Sequence, residues 1–425
     1  MNPINIDVLV CGGGMAGTVA AIAAGRNGAE TLLVERWGFL GGSATAAAVG
    51  QFVGWETEAG RRVIRGIAEE IVDNLRARGA SDGHSHFVMS TGHRMDQVSY
   101  DPETLKIVLD ELVTRAPAHL LFNTVVMSVA RTERTINEVT VLTKKGPIAL
   151  RPKVVIDASG DLDVLARASA TFLSLEEGET LQPATMMFRF GPIDYEAFNA
   201  IPTPEIHALA QRGVHEGALA RAALHQSRVT GTQDGWFNVS RVSVDATDPF
   251  DLSRAEVEGR RQAFAAANFI RENVPGCAGG RLVALAAQLG IRETRRVSGN
   301  YILTVDDLRR GRTFSDVIAC GAYPIDIHPA TGTGLGFETL GKDHSYQIPY
   351  RSIVPSGFDN VLIAGRGISS THEAHASTRV MPNTMAIGHA AGLAAAMIAE
   401  GNIGARELPV ERMQAKLREA NAYLG

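Results

Sequence analysis

The chain opens with a short apolar run, a group of glycines and then a longer alanine-rich run. The first run is Val8–Cys11, and the alanine-rich run extends from Met15 to Gly28. A short apolar run that ends in glycine predicts a buried strand, and the longer run predicts a helix. The next apolar run, TLLVE, ends at Glu35 and predicts a second strand. This order of elements favours the α/β class.

The next part of the chain predicts two helices and a group of strands. The range Gly60–Ala80 has helical periodicity. A second helix is predicted in DPETLKIVLDELVTR, because Asp101 is suited to the N-cap and Pro102 to the first turn. The runs LLFNTVVMSVART, INEVTVLT and GPIALRPKVVIDASG then predict a β-meander, which ends at a strand broken by Ser159 and Gly160.

The second half of the chain has a different pattern and returns to a buried strand near its end. Short strands and helices are predicted from Phe188 to about Val354, with one long helix in SRAEVEGRRQAFAAANFIREN. A buried strand follows in NVLIAGR, and MPNTMAIGHAAGLAAAMIAE predicts an alanine-rich helix with Pro382 in its first turn. Because the chain has 425 residues, and single cores rarely exceed roughly 300, we expect two domains.

Composition and charge exclude several classes of protein. The formal net charge is −5 and the pI is about 6.2, which argues against a nucleic-acid surface. The start of the chain is not a signal peptide, and the most apolar later stretch, Ala386–Ala399, is too short to span a bilayer. We therefore predict a cytoplasmic protein that binds neither membrane nor nucleic acid.

Cysteines and histidines give no pattern that is typical of a metal or redox centre. Cys11, Cys277 and Cys320 are far apart, so a redox-active disulfide and a cysteine-ligated iron–sulfur cluster are not expected. The polar segment with His84 and His86 is predicted to be irregular, and its histidine spacing, with His93 included, fits no ligand template. No metal site is predicted.

The glycines after the first strand point to a dinucleotide. Gly12, Gly14 and Gly17 fit the pattern G-x-G-x-x-G between a strand and a helix. Gly12 permits a tight turn, Gly14 lets a pyrophosphate approach the backbone, and Gly17 lets the helix pack close to the strand. The carboxylate of Glu35 could accept hydrogen bonds from ribose hydroxyls. These residues alone fit NAD and FAD equally well.

Three segments resemble FAD-dependent oxidoreductases of the glutathione-reductase and fumarate-reductase-flavoprotein type. They are VLVCGGGMAGTVAAIAAGRNGAETLLVER followed by GFLGGSAT, then VVIDASGDLDVLARA with Ser159 in place of the usual Thr, and finally NVLIAGRGISSTHEAHASTRVMPNTMAIGHAAGLAAA. The resemblance covers most of the chain and implies non-covalently bound FAD. It implies an α/β fold with a discontinuous Rossmann-like FAD domain of the glutathione-reductase type, with a β-meander, and an inserted α+β substrate domain.

The resemblance also implies domain limits and cofactor residues. The FAD domain is expected over 1–55, 100–170 and 350–425, and the substrate domain over 56–99 and 171–349. The residues expected to bind FAD are Gly12, Gly14, Met15, Ala16, Gly17, Glu35, Arg36, Gly42, Ser43, Ala44, Val126, Ser159, Gly160, Asp161, Gly365, Arg366, Asn383, Thr384 and Met385.

Missing motifs narrow the class of flavoprotein. The only other glycine cluster, GTGLGF, follows HPAT and not a strand, so it predicts a pocket loop and not a second nucleotide unit. Without that unit or a cysteine pair, a disulfide reductase is excluded. The Gly-Asp-x-x-His segment of aromatic hydroxylases is replaced by AGRGISSTHEAH, which disfavours a hydroxylase.

Histidines and arginines are concentrated in segments that the resemblance places near the flavin. His328, His372 and His375 are candidate bases, because histidine transfers protons near neutral pH. In RETRRVSGNY, a strand would put Arg292 and Arg296 on one face and Arg295 on the other. Arginine matches carboxylate geometry, and pairing with Glu293 is the alternative. Our catalytic candidates are His328, His372, His375 and Arg295.

Together these features predict hydride transfer between FAD and a small polar or carboxylated molecule. The electron acceptor stays open among oxygen, a quinone and an electron-transfer protein, and a homo-oligomer is one option for the assembly. Two alternatives remain at this stage. One is an electron-transfer or RNA-modification subunit, and the other is a thiazole-synthase-like enzyme that uses a dinucleotide as its substrate.

Overall fold

The computed structural model describes residues 3–88, 93–329 and 336–425. The described residues form eighteen strands: β1 (Ile4–Cys11), β2 (Thr31–Val34), β3 (Gln51–Val53), β4 (His84–Val88), β5 (Arg94–Ser99), β6 (Ala118–Leu121), β7 (Val125–Thr132), β8 (Thr135–Thr143), β9 (Gly146–Asp157), β10 (Phe188–Gly191), β11 (His225–Arg228), β12 (Gly235–Asn238), β13 (Arg281–Leu285), β14 (Val317–Gly321), β15 (Ile325–Ile327), β16 (Gly336–Glu338), β17 (Tyr346–Pro349) and β18 (Val361–Ile363).

Eleven α-helices connect these strands over the same described ranges. They are α1 (Met15–Arg26), α2 (Ile67–Ala77), α3 (Pro102–Arg115), α4 (Asp163–Arg167), α5 (Tyr195–Asn199), α6 (Thr203–His215), α7 (Pro249–Asn273), α8 (Val305–Arg310), α9 (His372–Thr378), α10 (Met381–Gly401) and α11 (Val410–Glu419). No helix in the described ranges is long and apolar enough to cross a membrane.

A seven-stranded sheet forms the centre of the largest hydrophobic core. Its order is β6-β2-β1-β9-β8-β7, and β18 pairs with the second half of β9. The β1, β2, β6, β9 and β18 pairings are parallel, with Val8 opposite Thr31 and Val154, whereas β7, β8 and β9 form an antiparallel meander. The last four residues of β1 and of β9 and all of β18 are buried, as expected where helices cover both faces of a parallel sheet.

Helices α1 and α10 pack against each other unusually closely. A Cβ atom added at Gly388 would lie 2.2 Å from the Ala16 carbonyl oxygen, and one added at Gly392 would lie 2.1 Å from that of Ala20. Only glycine allows the two backbones to approach this far. The two helices run in the same direction, and α10 begins about two turns before this contact, because Gly388 is in its second turn whereas Ala16 is in the first turn of α1.

A second hydrophobic core lies under a four-stranded antiparallel sheet of order β11-β12-β10-β13. Phe188 and Phe237 pack on one face of this sheet against the buried side of α7, which includes Ala263 and Ile270. Because side chains alternate along a strand, Trp236 and Asn238 point from the opposite face. That face is turned towards the β3 segment, since Gly50 contacts the Trp236 ring.

The fold class expected from the sequence is confirmed at the level of a mixed α/β protein with a parallel sheet. Asp101 caps α3 by accepting a hydrogen bond from the Thr104 N–H at 2.9 Å, as predicted. The irregular structure expected around His84 was wrong, because β4 and β5 form an antiparallel pair there. The helix expected over Gly60–Ala80 is shorter in the structure, where only α2 (Ile67–Ala77) is helical.

Candidate functional site

The turn between β1 and α1 leaves room beside its backbone. Gly12 has a φ of +105°, and a Cβ atom there would lie 2.5 Å from the Ala158 carbonyl oxygen. Gly14 is the N-cap of α1, has no side-chain cap, and would meet nothing within 4 Å if it carried a Cβ. The first N–H groups of α1 therefore face open space, which is the environment that binds a phosphate.

The first turn of α1 is held tightly against the strands. A Cβ atom at Gly17 would lie 1.9 Å from the Gly12 carbonyl oxygen, so this glycine is required for the close contact. Met15 and Ala16 are buried in the same turn, and Ala16 contacts α10. Contact of Met15, Ala16 and Gly17 with FAD stays a prediction.

Glu35 follows β2 and reaches back to the glycine turn. One carboxylate oxygen, Oε2, accepts a hydrogen bond from the Gly13 N–H at 2.6 Å, and Oε1 accepts from the Trp37 N–H at 2.9 Å. Burial raises the pKa of Glu35, and these backbone hydrogen bonds oppose that shift. Arg36 is exposed and hydrogen-bonds the Gln288 side chain.

Two other predicted segments border the same turn. Gly42, Ser43 and Ala44 form a 3₁₀ turn, and a Cβ atom at Gly42 would lie 2.8 Å from the Gly14 Cα. Val126 lies at the start of β7, beside Glu35, because the Thr124 N–H donates to the Glu35 carbonyl oxygen at 3.0 Å. Contact of Gly42, Ser43, Ala44 and Val126 with FAD stays a prediction.

The segment after β9 is tied to the segment after β18. Ser159 and Gly160 follow β9, and the Asp161 carboxylate pairs with the Arg366 guanidinium and accepts from the Thr294 hydroxyl at 2.8 Å. The Arg295 side chain donates to the Asp161 carbonyl oxygen at 2.9 Å. Arg295, which the sequence predicts to be catalytic, therefore contacts the segment after β9 that is predicted to bind FAD. Gly365 precedes Arg366 with a φ of +112° and lies near Ala16.

The beginning of α10 presents backbone N–H groups that no side chain caps. Asn383 is fully buried, and its amide donates to the Tyr346 hydroxyl at 3.0 Å and to the Ser377 carbonyl oxygen at 3.1 Å. The Thr384 hydroxyl donates to the Met381 carbonyl oxygen, and Met385 is buried in the core. In this structure, then, Asn383, Thr384 and Met385 fix the first turn, which leaves the N–H groups to meet a ligand.

Together, the open space at Gly14, the Glu35 carboxylate and two uncapped helix starts fit a dinucleotide that lies across the carboxyl ends of the sheet. A sequence profile described as FAD dependent oxidoreductase matches residues 7–417. The chain belongs to this family. FAD is its cofactor, and the protein is an oxidoreductase.

Solved structures agree with this family at the level of fold. A geranylgeranyl bacteriochlorophyll reductase-like protein from Thermoplasma acidophilum has a TM-score of 0.53 and 14% sequence identity, over 98% of this chain and 84% of that one. A triple mutant of the flavin-dependent brominase Bmp2 has a TM-score of 0.50 and 11% identity, over 98% of this chain and 85% of that one. No curated protein matches the sequence.

A buried cluster of polar side chains lies next to the beginning of α10. The Asp326 carboxylate is 3.3 Å from His328 Nε2 and accepts a hydrogen bond from the Tyr323 hydroxyl at 3.1 Å. The Arg379 guanidinium, two residues before α10, is 3.6 Å from the same carboxylate. Two atoms of the cluster, Asp326 Oδ1 and Arg379 Nε, are buried without a hydrogen-bond partner, so they are available to a ligand.

The pKa values of Asp326 and His328 in this cluster are both lowered strongly. Burial alone would raise the pKa of Asp326, but His328 and the nearby arginines hold it well below its usual range. Burial, together with the Arg292 charge, lowers the pKa of His328 to about 3, against an opposing effect of Asp326. At neutral pH the pair is therefore an ionised carboxylate and a neutral imidazole. Since the carboxylate only accepts, His328 Nε2 must carry the proton.

Arg292 joins this cluster from the segment after β13. One of its nitrogens, Nη1, donates to the Pro183 carbonyl oxygen at 2.6 Å and to the Thr185 hydroxyl at 2.9 Å. Burial and the charge of Arg379 lower the pKa of Arg292 to about 9. The segment is not a strand, so the expected shared face of Arg292 and Arg296 is wrong.

Glu293 organises a second cluster, which contains the other two predicted histidines. Its Oε1 lies 2.9 Å from His372 Nδ1, 3.2 Å from Arg296 Nε and 3.9 Å from His375 Nδ1. Burial alone would raise the pKa of Glu293, but the His372 hydrogen bond and neighbouring positive charges lower it to about 2. Burial lowers the pKa of His375 to about 3. Arg296 thus pairs with Glu293, which was the alternative to carboxylate binding for the arginines of this segment.

Gln182, which the sequence analysis missed, connects the two clusters. Its backbone N–H donates to Glu293 Oε2 at 3.3 Å, while its Oε1 accepts from the His328 N–H at 3.3 Å. Arg221, His225 and Tyr323 were also missed. Tyr323 is the first residue of the segment YPIDIH, which ends at His328, and this proximity along the chain is the local signal that could have found it.

The histidines of the β4–β5 hairpin pair with carboxylates of neighbouring segments. His84 Nε2 is 2.9 Å from Glu69, and His86 Nε2 is 2.5 Å from Glu56. Across the described ranges, no group of three or more His, Cys, Asp or Glu side chains is arranged to hold a metal ion. Most of the glycine cluster GTGLGF lies outside the described residues.

Proposed function

We propose that this enzyme transfers a hydride between a small carboxylated molecule and FAD. The observation that supports this is the buried group of Arg292, Arg379, Asp326 and His328 beside the beginning of α10. When bound, FAD supplies the two-electron donor or acceptor. The residues of the chain bind the substrate, exclude water and hold the proton that accompanies the hydride.

Arg292 and Arg379 are suited to bind the carboxylate. Arg292 donates a hydrogen bond to the Pro183 carbonyl oxygen, and Arg379 donates one to the Asp326 carbonyl oxygen at 3.2 Å. These bonds fix one side of each guanidinium. Their remaining N–H groups can form the paired hydrogen bonds that carboxylates prefer. Burial excludes competing water, so a bound carboxylate would interact more strongly than at the protein surface.

His328 is suited to exchange a proton with the substrate. Its Nε2–H faces Asp326, which leaves Nδ1 as the basic nitrogen. The positive charge of Arg292 is one cause of its low pKa. A substrate carboxylate that neutralises Arg292 removes part of that cause, so the pKa of His328 rises towards the useful range only when substrate is present.

We also propose how the chain is divided into two domains. We infer that the parallel sheet and its meander form an FAD domain of the glutathione-reductase type, made of 1–55, 100–170 and 350–425, and that 56–99 and 171–349 form the substrate domain. The separate core between residues 184 and 291 supports the inserted unit. The β3–β5 segment and residues 297–354 pack on the first core. A cytoplasmic location stays a prediction.

A comparison of acids with their methyl esters tests this function. The FAD-loaded enzyme is mixed anaerobically with hydroxy, amino and unsaturated carboxylic acids, and flavin absorbance is followed in both redox directions. We expect a reactive acid whose methyl ester reacts at least about tenfold more slowly, because the ester loses charge-assisted hydrogen bonds. Equal rates for the acid and its ester would contradict the carboxylate assignment.

The role of His328 is tested with the substrate found in this way. His328→Gln should lower the rate of flavin reduction per bound FAD by about 10²- to 10⁴-fold, which is the usual contribution of a positioned base. His215→Gln, an exposed histidine of α6, is the matched control and should retain the rate. A change under about tenfold in the His328 variant would exclude it as the base.

A further inference from the structure

Five polar side chains form an array between β3 and the four-stranded sheet. In the register of β11 and β12, His225 lies opposite Asn238. Ser227 lies opposite Trp236 in the same register, so these four side chains share one face of the sheet. Gln51, at the start of β3, lies over this face, because its Nε2 is 2.9 Å from His225 Nε2 and its Oε1 accepts a hydrogen bond from the Ser227 hydroxyl at 2.9 Å. We call these five side chains the polar array.

Two polar atoms of the array have no partner. Trp236 Nε1 and Asn238 Oδ1 are both buried without a hydrogen bond, and the whole Trp236 residue is only 8% exposed. A Cβ atom added at Gly50 would lie 3.1 Å from Trp236 Cδ1, the ring atom bonded to Nε1, so a side chain at residue 50 would crowd this edge of the indole. A buried donor and a buried acceptor without partners are costly. A ligand group that accepts from Nε1 and donates to Oδ1 removes that cost.

Arg292, to which we assign the substrate carboxylate, is connected to the polar array through Thr185. The Thr185 hydroxyl accepts a hydrogen bond from Arg292 Nη1 at 2.9 Å and donates one to the Ser240 carbonyl oxygen at 3.2 Å. Ser240 is two residues after Asn238, so the Cα atoms of these two residues are at most about 7 Å apart. The array therefore lies within reach of a small molecule that is bound to Arg292.

The β3 segment connects the polar array to the His328 cluster as well. Gln51 begins β3, and Gly54 follows the last residue of this strand. A Cβ atom added at Gly54 would lie 3.1 Å from the Tyr323 Cβ, and the Tyr323 hydroxyl donates to Asp326. Three residues of an extended strand span about 10 Å, which is the length of a small organic acid. The array and the cluster are thus placed at the two ends of one short strand.

The polar array offers hydrogen bonds without a net charge. Burial, and to a smaller extent the charge of Arg221, lowers the pKa of His225 to about 4, so this imidazole is neutral at neutral pH. The other four side chains are two amides, a hydroxyl and an indole, which carry no charge. On the same face, Arg189 lies opposite Trp236 and pairs with Asp234 at 2.7 Å. An uncharged ligand group therefore suits the array better than an anion.

We propose that Trp236 and Asn238 form a subsite for an uncharged polar group at the far end of the substrate. Trp236 Nε1 donates to this group, Asn238 Oδ1 accepts from it, and the substrate carboxylate binds at Arg292. The inference rests on the proposed function, which assigns the carboxylate to Arg292 and Arg379. The far group is a carboxamide or a hydroxyl, since both of these accept and donate. The substrate is thus a monoanion and not a diacid.

Calorimetric titration of the FAD-loaded enzyme tests the subsite without turnover. The ligands are the monoamides of succinic, glutaric and adipic acid, and each is compared with the diacid and with two uncharged-end analogues of equal length. In one analogue a methyl ketone replaces the amide, which removes the donor, and in the other an isopropyl group removes donor and acceptor. For at least one length, we expect the monoamide to bind at least about tenfold more tightly than the isopropyl analogue. The methyl ketone should have an intermediate affinity, and the diacid of that length should bind more weakly than the monoamide.

Two variants separate the donor from the acceptor. Asn238→Leu should bind the monoamide no more tightly than the methyl ketone, and its affinity for the isopropyl analogue should stay within about twofold of wild type, because that analogue makes no hydrogen bond here. Trp236→Phe keeps an aromatic ring but loses the Nε1–H donor, so it should lose the preference for the methyl ketone over the isopropyl analogue. Asn137→Leu, at an exposed position of β8, is the matched control and should behave as wild type. If Asn238→Leu fails to fold, Trp236→Phe tests the subsite independently.

Three results would overturn the subsite. They are equal affinities for the monoamide and the isopropyl analogue at every length, a diacid that binds as tightly as the monoamide at every length, and an equal loss of all affinities in Asn238→Leu or Trp236→Phe. The proposed function fails separately. An enzyme that prefers monoamides but exchanges no electrons with any acid refutes only hydride transfer, whereas one that oxidises or reduces carboxylic acids without any preference for the amide refutes only the subsite.

Discussion

The carboxylate of Glu35 is buried between two backbone N–H groups, those of Gly13 and Trp37. Both carboxylate oxygens act as acceptors. A glutamine at this position would place its NH₂ group, which is a donor, against one of the two backbone N–H donors. The same carboxylate has lone pairs left for the ribose of FAD. Glu35 therefore stabilises the turn, and we expect it to bind the cofactor as well.

We predict that Glu35→Gln weakens FAD binding by roughly 1.5–3 kcal/mol, the value of a charge-assisted hydrogen bond. The measurement is titration of the apoprotein with FAD, followed by flavin fluorescence. Glu30→Gln, an exposed carboxylate just before β2, is the control and should bind FAD as wild type does. Unchanged affinity in Glu35→Gln would show that this carboxylate does not contact the cofactor.

Single residues could be predicted where their function depends on a local pattern. Gly12, Gly14 and Glu35 are positioned by one strand–turn–helix unit, so their spacing was sufficient. Gln182 could not be predicted, because its partners Glu293 and His328 are more than a hundred residues away in the chain. Glu293 was expected only as a partner of the arginines, and its contact with His372 depends on the fold. The contact between Asp326 and His328 required the structure, because residues two apart on a strand share one face without necessarily touching.

At the scale of elements, α1 and α10 approach each other closely enough to require glycine. The glycines of this contact remove the side chains that would otherwise separate the two helices. The same contact sets the relative position of two uncapped helix starts, and we expect the phosphates of the cofactor at the start of α1 and its flavin end at the start of α10. Packing in the core and geometry at the site are thus controlled by the same few positions.

We predict that Gly388→Ala destabilises the protein by about 1–3 kcal/mol, the usual cost of overpacking, and lowers FAD affinity as well. Urea unfolding and FAD titration measure the two effects. Gly401→Ala lies at the other end of α10, where a Cβ atom would have its nearest contact at 3.6 Å. This control should be neutral or slightly stabilising, and equal behaviour of the two variants would contradict the packing argument.

Elements with strong apolar periodicity or a cap were predictable, and weakly patterned ones were not. The N-cap of α3 and the proline at the start of α10 marked both helices. The hairpin of β4 and β5 was missed because its first strand, HSHFV, is mostly polar and half exposed. Its histidines instead pair with Glu56 and Glu69, which belong to other segments.

At the scale of the whole molecule, the described residues contain one parallel sheet and one strand–glycine turn–helix unit. FAD occupies that unit in our interpretation, so a nicotinamide cofactor has no equivalent place to bind. The substrate pocket offers arginines and not a second nucleotide turn. We therefore expect that the flavin exchanges electrons with a small anionic substrate and with a separate electron acceptor.

We predict that NADH and NADPH reduce the bound flavin slowly and without saturation. Stopped-flow absorbance under anaerobic conditions measures this, with dithionite as the positive control for complete reduction. Rapid and saturable bleaching by either nucleotide would show that a second binding place exists and would overturn the inference from the fold.

The contact between α1 and α10 also bears on how the protein is made. Helix α1 leaves the ribosome long before its partner α10 and the strand β18. Until Met381 and the residues after it emerge, the side of α1 that carries Ala16 and Ala20 has no α10 to cover it. Synthesis of α10 must therefore precede maturation of the sheet and helix packing around α1, and products terminated before Met381 expose an apolar surface to chaperones and proteases.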